Sequence, residues 1–181
     1  NVCIGAATGN TATTASYNTF IGHYANQYCT IATYSTAVGA YAIRNIDSGE
    51  FNTALGGNAG RYTTGTNTNA TASNGIFIGY NSRSAVGVTT NEIVIGVDTI
   101  SLGSNTTVIG NSATTRSIIY GSLEPQSYVR LKSYTVATLP VGVEGAVAYV
   151  TNALAPTYQG IVAGGGTVKC RVFFNGTNWI T

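Results

Sequence analysis

The chain carries one histidine, His23, six acids (Asp47, Glu50, Glu92, Asp98, Glu124 and Glu144) and three cysteines (Cys3, Cys29 and Cys170). Hydrolases and lyases need converging carboxylates, or a base held by an orienting partner. Asp47 and Glu50 are the only acids within three residues of each other. The Ser and Gly between them mark a solvated turn rather than a catalytic pair. The cysteines lack metal-ligand spacing, and their odd count and wide separation argue against a disulfide framework. A Cys3–Cys29 bridge stays open at this level, because geometry decides it. No serine sits in a Gly-x-Ser-x-Gly elbow, and Gly164–Gly166 lacks the Lys-Ser/Thr of a phosphate loop. The sequence therefore predicts no catalytic residue, no metal site and no cofactor.

The whole composition restricts the partners as well. Of 181 residues, 23 are glycine and 8% are charged, with a net charge of +2. An ordinary soluble domain is roughly 25% charged. A nucleic-acid binder needs a clustered basic face, which so few cations do not supply. No apolar run approaches the roughly 18 residues of a membrane helix, so no membrane insertion is expected. The absence of Met predicts a fragment or a processed chain. Asn69, Asn105 and Asn175 head Asn-x-Ser/Thr triplets, which matter only in a eukaryotic secretory setting.

What must position any functional residue is a repeat. A short apolar step ending in glycine recurs as Cys3-Ile4-Gly5, Phe20-Ile21-Gly22, Ala37-Val38-Gly39 and Ala54-Leu55-Gly56, each 17 residues after the last. Phe77-Ile78-Gly79 follows after 23, and Val94-Ile95-Gly96 after 17 again. Ser101-Leu102-Gly103 and Val108-Ile109-Gly110 continue at intervals of 7, with a looser copy at Ile119-Tyr120-Gly121. Asn1, Asn18, Ser35 and Asn52 precede their glycines by four residues, and Ala25, Ala42 and Ala59 follow theirs by three. Such short β-branched segments, bounded by Gly, Asn, Ser and Thr, read as strands that cannot bury themselves singly. Stacked at about 4.8 Å per layer they form a parallel β-solenoid. Asn and Thr at equivalent corners then form ladders that satisfy turn amides. The polar stretch Tyr62–Ser73 accounts for the 23-residue interval and reads as a bulging loop.

Side chains alternate along a strand. The row Ile4, Ile21, Val38 and Leu55 therefore faces one way, and Cys3, Phe20, Ala37 and Ala54 the other. Both rows are apolar, yet a coil has one interior. We place the Val38 row inside and assign the other row to a further copy of the chain, bundled in parallel about a symmetry axis.

Asn18–Ala25 (Asn-Thr-Phe-Ile-Gly-His-Tyr-Ala), Ser35–Ala42 and Asn52–Ala59 resemble the head repeats of trimeric autotransporter (YadA-like) adhesins, repeats that also occur in bacteriophage tail fibres. The 7-residue steps at Gly96, Gly103 and Gly110 look most like the adhesin spacing; the 17-residue steps depart from it. The resemblance covers residues 1–121 and implies a left-handed parallel β-roll assembled as a homotrimer. Residues 139–179 resemble the C-terminal tips of phage tail and virion proteins, in Gly145-Ala-Val-Ala-Tyr-Val-Thr151 and Phe174-Asn-Gly-Thr-Asn-Trp179. That favours a phage over a bacterial adhesin, whose class ends in a membrane barrel. No intramolecular chaperone domain follows, so the chain does not look self-cleaving.

The expected organisation is thus all-β. It comprises a β-roll over 1–121, a linker over 122–127 around Leu123-Glu124-Pro125, and a small β-rich C-terminal cap over 128–181. Strands or edges are expected at 128–131, 135–140, 145–150, 160–163 and 168–174. Asn175-Gly176 turns the chain into a last strand at 178–180. The expected function is structural and recognitive: the distal part of a phage tail fibre or similar virion appendage, outside the cell. It would partner other virion tail proteins and a host cell-surface glycan or protein. The candidate receptor contacts are Tyr149, Tyr158, Asn178 and Trp179, because aromatic faces stack on sugar C–H surfaces. His23, Tyr24 and Tyr41 read as solenoid surface or trimer packing. Gly5, Gly22, Gly39, Gly56, Gly79, Gly96, Gly103 and Gly110 are the structural repeat glycines. The alternatives are the head of a bacterial surface adhesin and a polysaccharide-cleaving tailspike.

Overall fold

A computed structural model describes residues 1–63 and 71–181. The chain divides into two compact units, 1–118 and 119–181. The first is the parallel β-solenoid. Seven three-residue strands pair in chain order: β1 (Val2–Ile4), β2 (Thr19–Ile21), β3 (Thr36–Val38), β4 (Thr53–Leu55), β5 (Ile76–Ile78), β6 (Ile93–Ile95) and β7 (Thr107–Ile109). Every pairing is parallel and in the register of the repeat, so Cys3 lies beside Phe20, then Ala37, Ala54, Phe77, Val94 and Val108.

Two ladders hold the coils in register. Asn18 Oδ1 accepts the Ser35 amide at 2.8 Å while its Nδ2 donates to the Ala32 carbonyl at 2.9 Å. Asn52 does the same with the Gly75 amide and the Ala72 carbonyl, at 2.9 and 2.6 Å. Both side chains are buried. Each links its own coil to the next, which is the ladder the sequence predicts. The second ladder is the glycine column. Gly22 has a φ of +134°, and a Cβ placed there would lie 2.6 Å from the Gly39 carbonyl oxygen. Both the dihedral and the close approach therefore require glycine.

The structure reverses the assignment of the two apolar rows. Phe20, Ala37, Ala54, Phe77 and Val94 are fully buried or nearly so, whereas Ile4 and Leu55 are 57% and 50% exposed. The Phe/Ala row is the interior, and the Val38 row points outward. The reason is volume. Phe20 packs over Gly9, and Phe77 over Gly60. Where the strand residue shrinks to Ala37 or Ala54, the column that begins with Gly9 carries Asn26 and Ile43, both buried. Across these neighbouring coils large faces small, and the interior stays filled.

The 7-residue steps are also corrected. β6 pairs directly with β7 at a spacing of 14 residues, Ile93 opposite Thr107. Ser101-Leu102-Gly103 forms no strand, Leu102 is 82% exposed, and a Cβ on Gly103 would meet nothing within 4 Å. Gly103 is a turn residue outside the glycine column. Ile119-Tyr120-Gly121 likewise forms no strand. The loop reading of Tyr62–Ser73 falls on residues 64–70, outside the described residues. On either side of them, Thr63 bridges to Ser84 and Ser73 to Thr90, both in parallel sense.

The second unit contains a four-stranded mixed sheet in the order β11-β10-β9-β8. Its strands are β8 (Ser133–Tyr134), β9 (Val147–Ala153), β10 (Val168–Phe174) and β11 (Trp179–Ile180). β8 joins β9 in parallel; β9, β10 and β11 are antiparallel. Ala148, Val150, Ala153, Val162 and Val172 form its core, with Leu139 and Trp179 packed against them. Strands expected at 128–131 and 135–140 do not form. The second of these contains a 3-10 turn, Val136–Thr138, started by reciprocal bonds between Thr135 and Thr138. The expected strand at 160–163 is reduced to a single bridge, Ile161 to Ile180.

Candidate functional site

Most side chains of the solenoid are set by its columns, so a residue's surroundings follow from what stands 17 places away. Thr11, Tyr28 and Asn45 form one such column, and Thr30 and Asp47 belong to a neighbouring one. Together they line a surface groove of about 380 Å³ that crosses three successive coils. The floor is rigid: the amides of Thr30, Ile31 and Ala32 all donate to the Asp47 carbonyl at 3.1–3.2 Å. The Asp47 side chain adds an Oδ1 acceptor for the Thr30 amide at 3.1 Å. Asn45 Nδ2 donates to the Arg61 carbonyl at 3.4 Å.

Beside this groove, cations and rings interleave. The Arg44 guanidinium carbon lies 5.0–5.4 Å from the ring centres of Tyr24, Tyr28 and Tyr41. Arg44 Nε donates to Gln27 at 2.7 Å, and Nη2 to the Tyr28 hydroxyl at 3.1 Å. Arg61 sits over Tyr41 and Tyr62 at 4.5 and 4.3 Å and donates to Asn58 Oδ1 at 2.7 Å. Burial lowers its pKa below the usual arginine value, against the opposite pull of Tyr62. His23 packs 4.0 Å from Tyr24, centre to centre. His23, Tyr24 and Tyr41 are thus parts of one solenoid-surface cluster.

A third column, Tyr17, Tyr34 and Phe51, forms a stack. Its ring centres are 4.8 and 5.2 Å apart and both pairs are within 6° of parallel. All three rings are exposed.

Cys29 belongs to the solenoid core and Cys170 packs against the core of the second unit. Among the described residues no cysteine is bridged: Cys3 is exposed, and Cys29 is fully buried with its Sγ 3.6 Å from the Ala32 carbonyl. Burial pushes the Cys29 thiol up to about 11, only partly offset by that hydrogen bond. Among the described residues Glu92 is the one fully buried acid. Ser84 and Thr89 donate to its Oε2 at 2.6 and 2.8 Å, and Ser101 to its Oε1 at 2.6 Å. Its role is to satisfy three hydroxyls inside the coil.

In the second unit, the four sequence candidates lie apart in role. Tyr149 is half-buried and lines a cavity of about 460 Å³ with Val129, Arg130, Leu131, Ser133 and Arg171. Tyr158, Asn178 and Trp179 do not line it. Tyr158 is 88% exposed. Asn178 belongs to the hairpin turn, its amide donating to Asn175 Oδ1 at 2.8 Å. Trp179 packs on the core, edge-on to Phe174, with Nε1 donating to the Pro140 carbonyl at 3.1 Å. Sequence reasoning missed the groove because it read Asp47 only with Glu50, as a solvated turn. The signal was the 17-residue register between Thr30 and Asp47, and among Thr11, Tyr28 and Asn45.

Among the described residues no group of three or more His, Cys, Asp or Glu is placed to hold a metal ion, and no helix is long and apolar enough to cross a membrane. Comparisons of the chain with protein-family models, curated proteins and solved structures find no match.

Proposed function

We propose that the chain is a structural and host-recognition segment of a phage tail fibre or similar virion appendage, working outside the cell as a parallel homotrimer. The observation that carries this reading is the outward apolar row of the solenoid. Ile4, Ile21, Val38, Leu55, Ile78, Ile95 and Ile109 stand one above another on successive strands. Ile4, Leu55 and Ile109 are at least half exposed, although the interior is already filled. Isolated apolar residues on a surface need no explanation, but a continuous file of them marks an interface. Parallel copies around a three-fold axis offer each file an identical file at matching height. The second unit is the cap in this reading, and three copies give avidity to individually weak receptor contacts.

Two measurements test it. Light scattering is expected to give about three times the chain mass of 18.6 kDa; a single-chain mass removes the trimer. Fluorescently labelled protein, incubated with a panel of bacterial isolates, is expected to be retained on some and not others. Retention on none, or on all alike, overturns host recognition.

A further inference from the structure

We propose that the groove lined by Thr11, Tyr28, Thr30, Asn45 and Asp47 binds an uncharged saccharide. The inference rests on the recognition reading above and gives it a place on the rod and a ligand chemistry. The volume, about 380 Å³, is within the range of small-ligand sites. What selects the ligand is the lining: one carboxylate, one carboxamide, two hydroxyls and one phenol ring.

The unused valences are specific. Asp47 Oδ1 is committed to the Thr30 amide, and Asn45 Nδ2 to the Arg61 carbonyl. Among the described residues, Asp47 Oδ2 and Asn45 Oδ1 accept no hydrogen bond, so two acceptors on adjacent columns stay available. Neighbouring hydroxyls on one sugar ring can donate to these two acceptors, and the Thr30 hydroxyl is left to donate back, since the Thr11 hydroxyl is spent on the Gln27 carbonyl at 3.0 Å. The Tyr28 ring supplies an apolar face for the sugar's C–H side. Arg44 fixes that ring beforehand, through its guanidinium over the ring and its bond to the Tyr28 hydroxyl. A pre-set ring lowers the ordering cost of binding.

Other ligand classes fit poorly. No Lys or Arg lines the groove, and the one charged group that does, Asp47, repels an anion. An apolar ligand would bury Asp47 and Asn45 without partners. A metal ion would find one carboxylate and no further His, Cys, Asp or Glu beside it. Position agrees as well. Tyr28 and Thr30 lie about half a 17-residue coil from the strand that carries the apolar file, on the far side of the closed coil. The groove therefore stays open when the strands' outward faces meet their copies.

The test is an array of neutral and acidic glycans probed with the full chain and three variants. Asp47→Asn keeps the acceptor for the Thr30 amide and is the variant safest for folding. Tyr28→Ala removes the stacking face, and Val141→Ala, at an exposed position of the other unit outside every candidate site, is the control. Binding to one or more neutral glycans is expected, weakened at least tenfold by Asp47→Asn and Tyr28→Ala and unchanged by Val141→Ala. Binding to acidic glycans alone, binding indifferent to both groove variants, or no glycan bound overturns the proposal. So does a groove-dependent capture of unglycosylated protein, which would make the ligand a peptide. The same variants are then applied to intact cells. Cell retention that survives both groove substitutions overturns the groove and leaves host recognition standing. Wild-type protein that no cell retains removes host recognition itself.

Discussion

The early and late coils of the solenoid share one backbone and solve it with different side chains. Two columns hold left-handed dihedrals throughout. In the first, φ is 54–62° at Tyr17, Tyr34 and Phe51, and again at Asn74, Asn91 and Asn105. In the second it is 52–61° at Ala7, Tyr24, Tyr41, Asn58, Asn81 and Asp98. Asparagine visits this region routinely, whereas a residue such as tyrosine pays about 1–2 kcal/mol. The late coils use the cheaper residue and link it laterally, as in the Asn91 to Asn105 bond at 3.0 Å. The early coils stack rings instead. Ring stacking returns about 0.5–1.5 kcal/mol beyond burial, which only balances the backbone strain. Stability alone does not explain aromatic residues there. Strain accepted at an exposed position points to a surface that something else contacts.

The interiors differ in the same direction. The early coils enclose Phe20, Cys29, Ala37, Ile43 and Ile46, while the late coils enclose Glu92 with Ser84, Thr89 and Ser101. A carboxylate is tolerated at 92 because three hydroxyls meet it. The sharpest way to break this contrast is a carboxylate in the early interior. Ala37→Asp has an apolar cluster around it and a paired strand on either side. An unpaired charge there costs more than a small domain's margin, so the variant is expected to lose its β-sheet circular dichroism. Val38→Asp, one residue on and outward, is expected to keep that spectrum and to fall from a three-chain to a one-chain mass by light scattering. A folded Ala37→Asp protein would return the Val38 row to the interior.

A smaller effect separates the glycine column from the late turn. Gly39 and Gly103 both have positive φ, +135° and +105°. A Cβ on Gly39 would lie 2.6 Å from backbone atoms of Gly56, and one on Gly103 meets nothing within 4 Å. Gly103→Ala therefore carries dihedral strain alone, about 1–3 kcal/mol. Gly39→Ala adds a backbone collision that must shift a neighbouring coil. Urea melts are expected to show Gly39→Ala losing clearly more stability than Gly103→Ala. Equal losses would mean that dihedral strain, rather than close stacking, conserves the spacing of the coils.

The strands themselves were legible because the repeat states them directly: an apolar step, a glycine, and 17 residues to the next. The inward face was not, since alternation marks two rows and both are apolar. Reading Gly9 with Phe20, and Gly60 with Phe77, would have decided it, because only a residue packed across the coil needs a compensating glycine. The shortened coil before β7 was misread for a related reason. Ser101-Leu102-Gly103 imitates a strand step in type, but it follows β6 by too few residues to close a coil, and β7 takes the place beside β6 instead. In the second unit β10 matched its expected span at Val168–Phe174, where Cys170, Val172 and Phe174 alternate with the more exposed Lys169, Arg171 and Phe173 up to Asn175-Gly176. The groove was invisible locally: its five residues come from three coils, and none is unusual where it stands.

The mildest test bears on the aromatic half most directly. Tyr34→Asn gives the early column the residue that the late column already uses. The substitution relieves left-handed strain of about 1–2 kcal/mol and removes stacking on Tyr17 and Phe51, worth about 0.5–1.5 kcal/mol each. The balance runs from about 1 kcal/mol gained to about 2 kcal/mol lost, and a urea melt is expected to stay within that range. Retention on cells is the independent readout. If the rings are kept for contact, Tyr34→Asn loses retention while its melt stays within that range. A melt that drops by several kcal/mol would instead make the ladder a structural brace, and the difference between the two halves would then reflect how each coil is held together rather than what it touches.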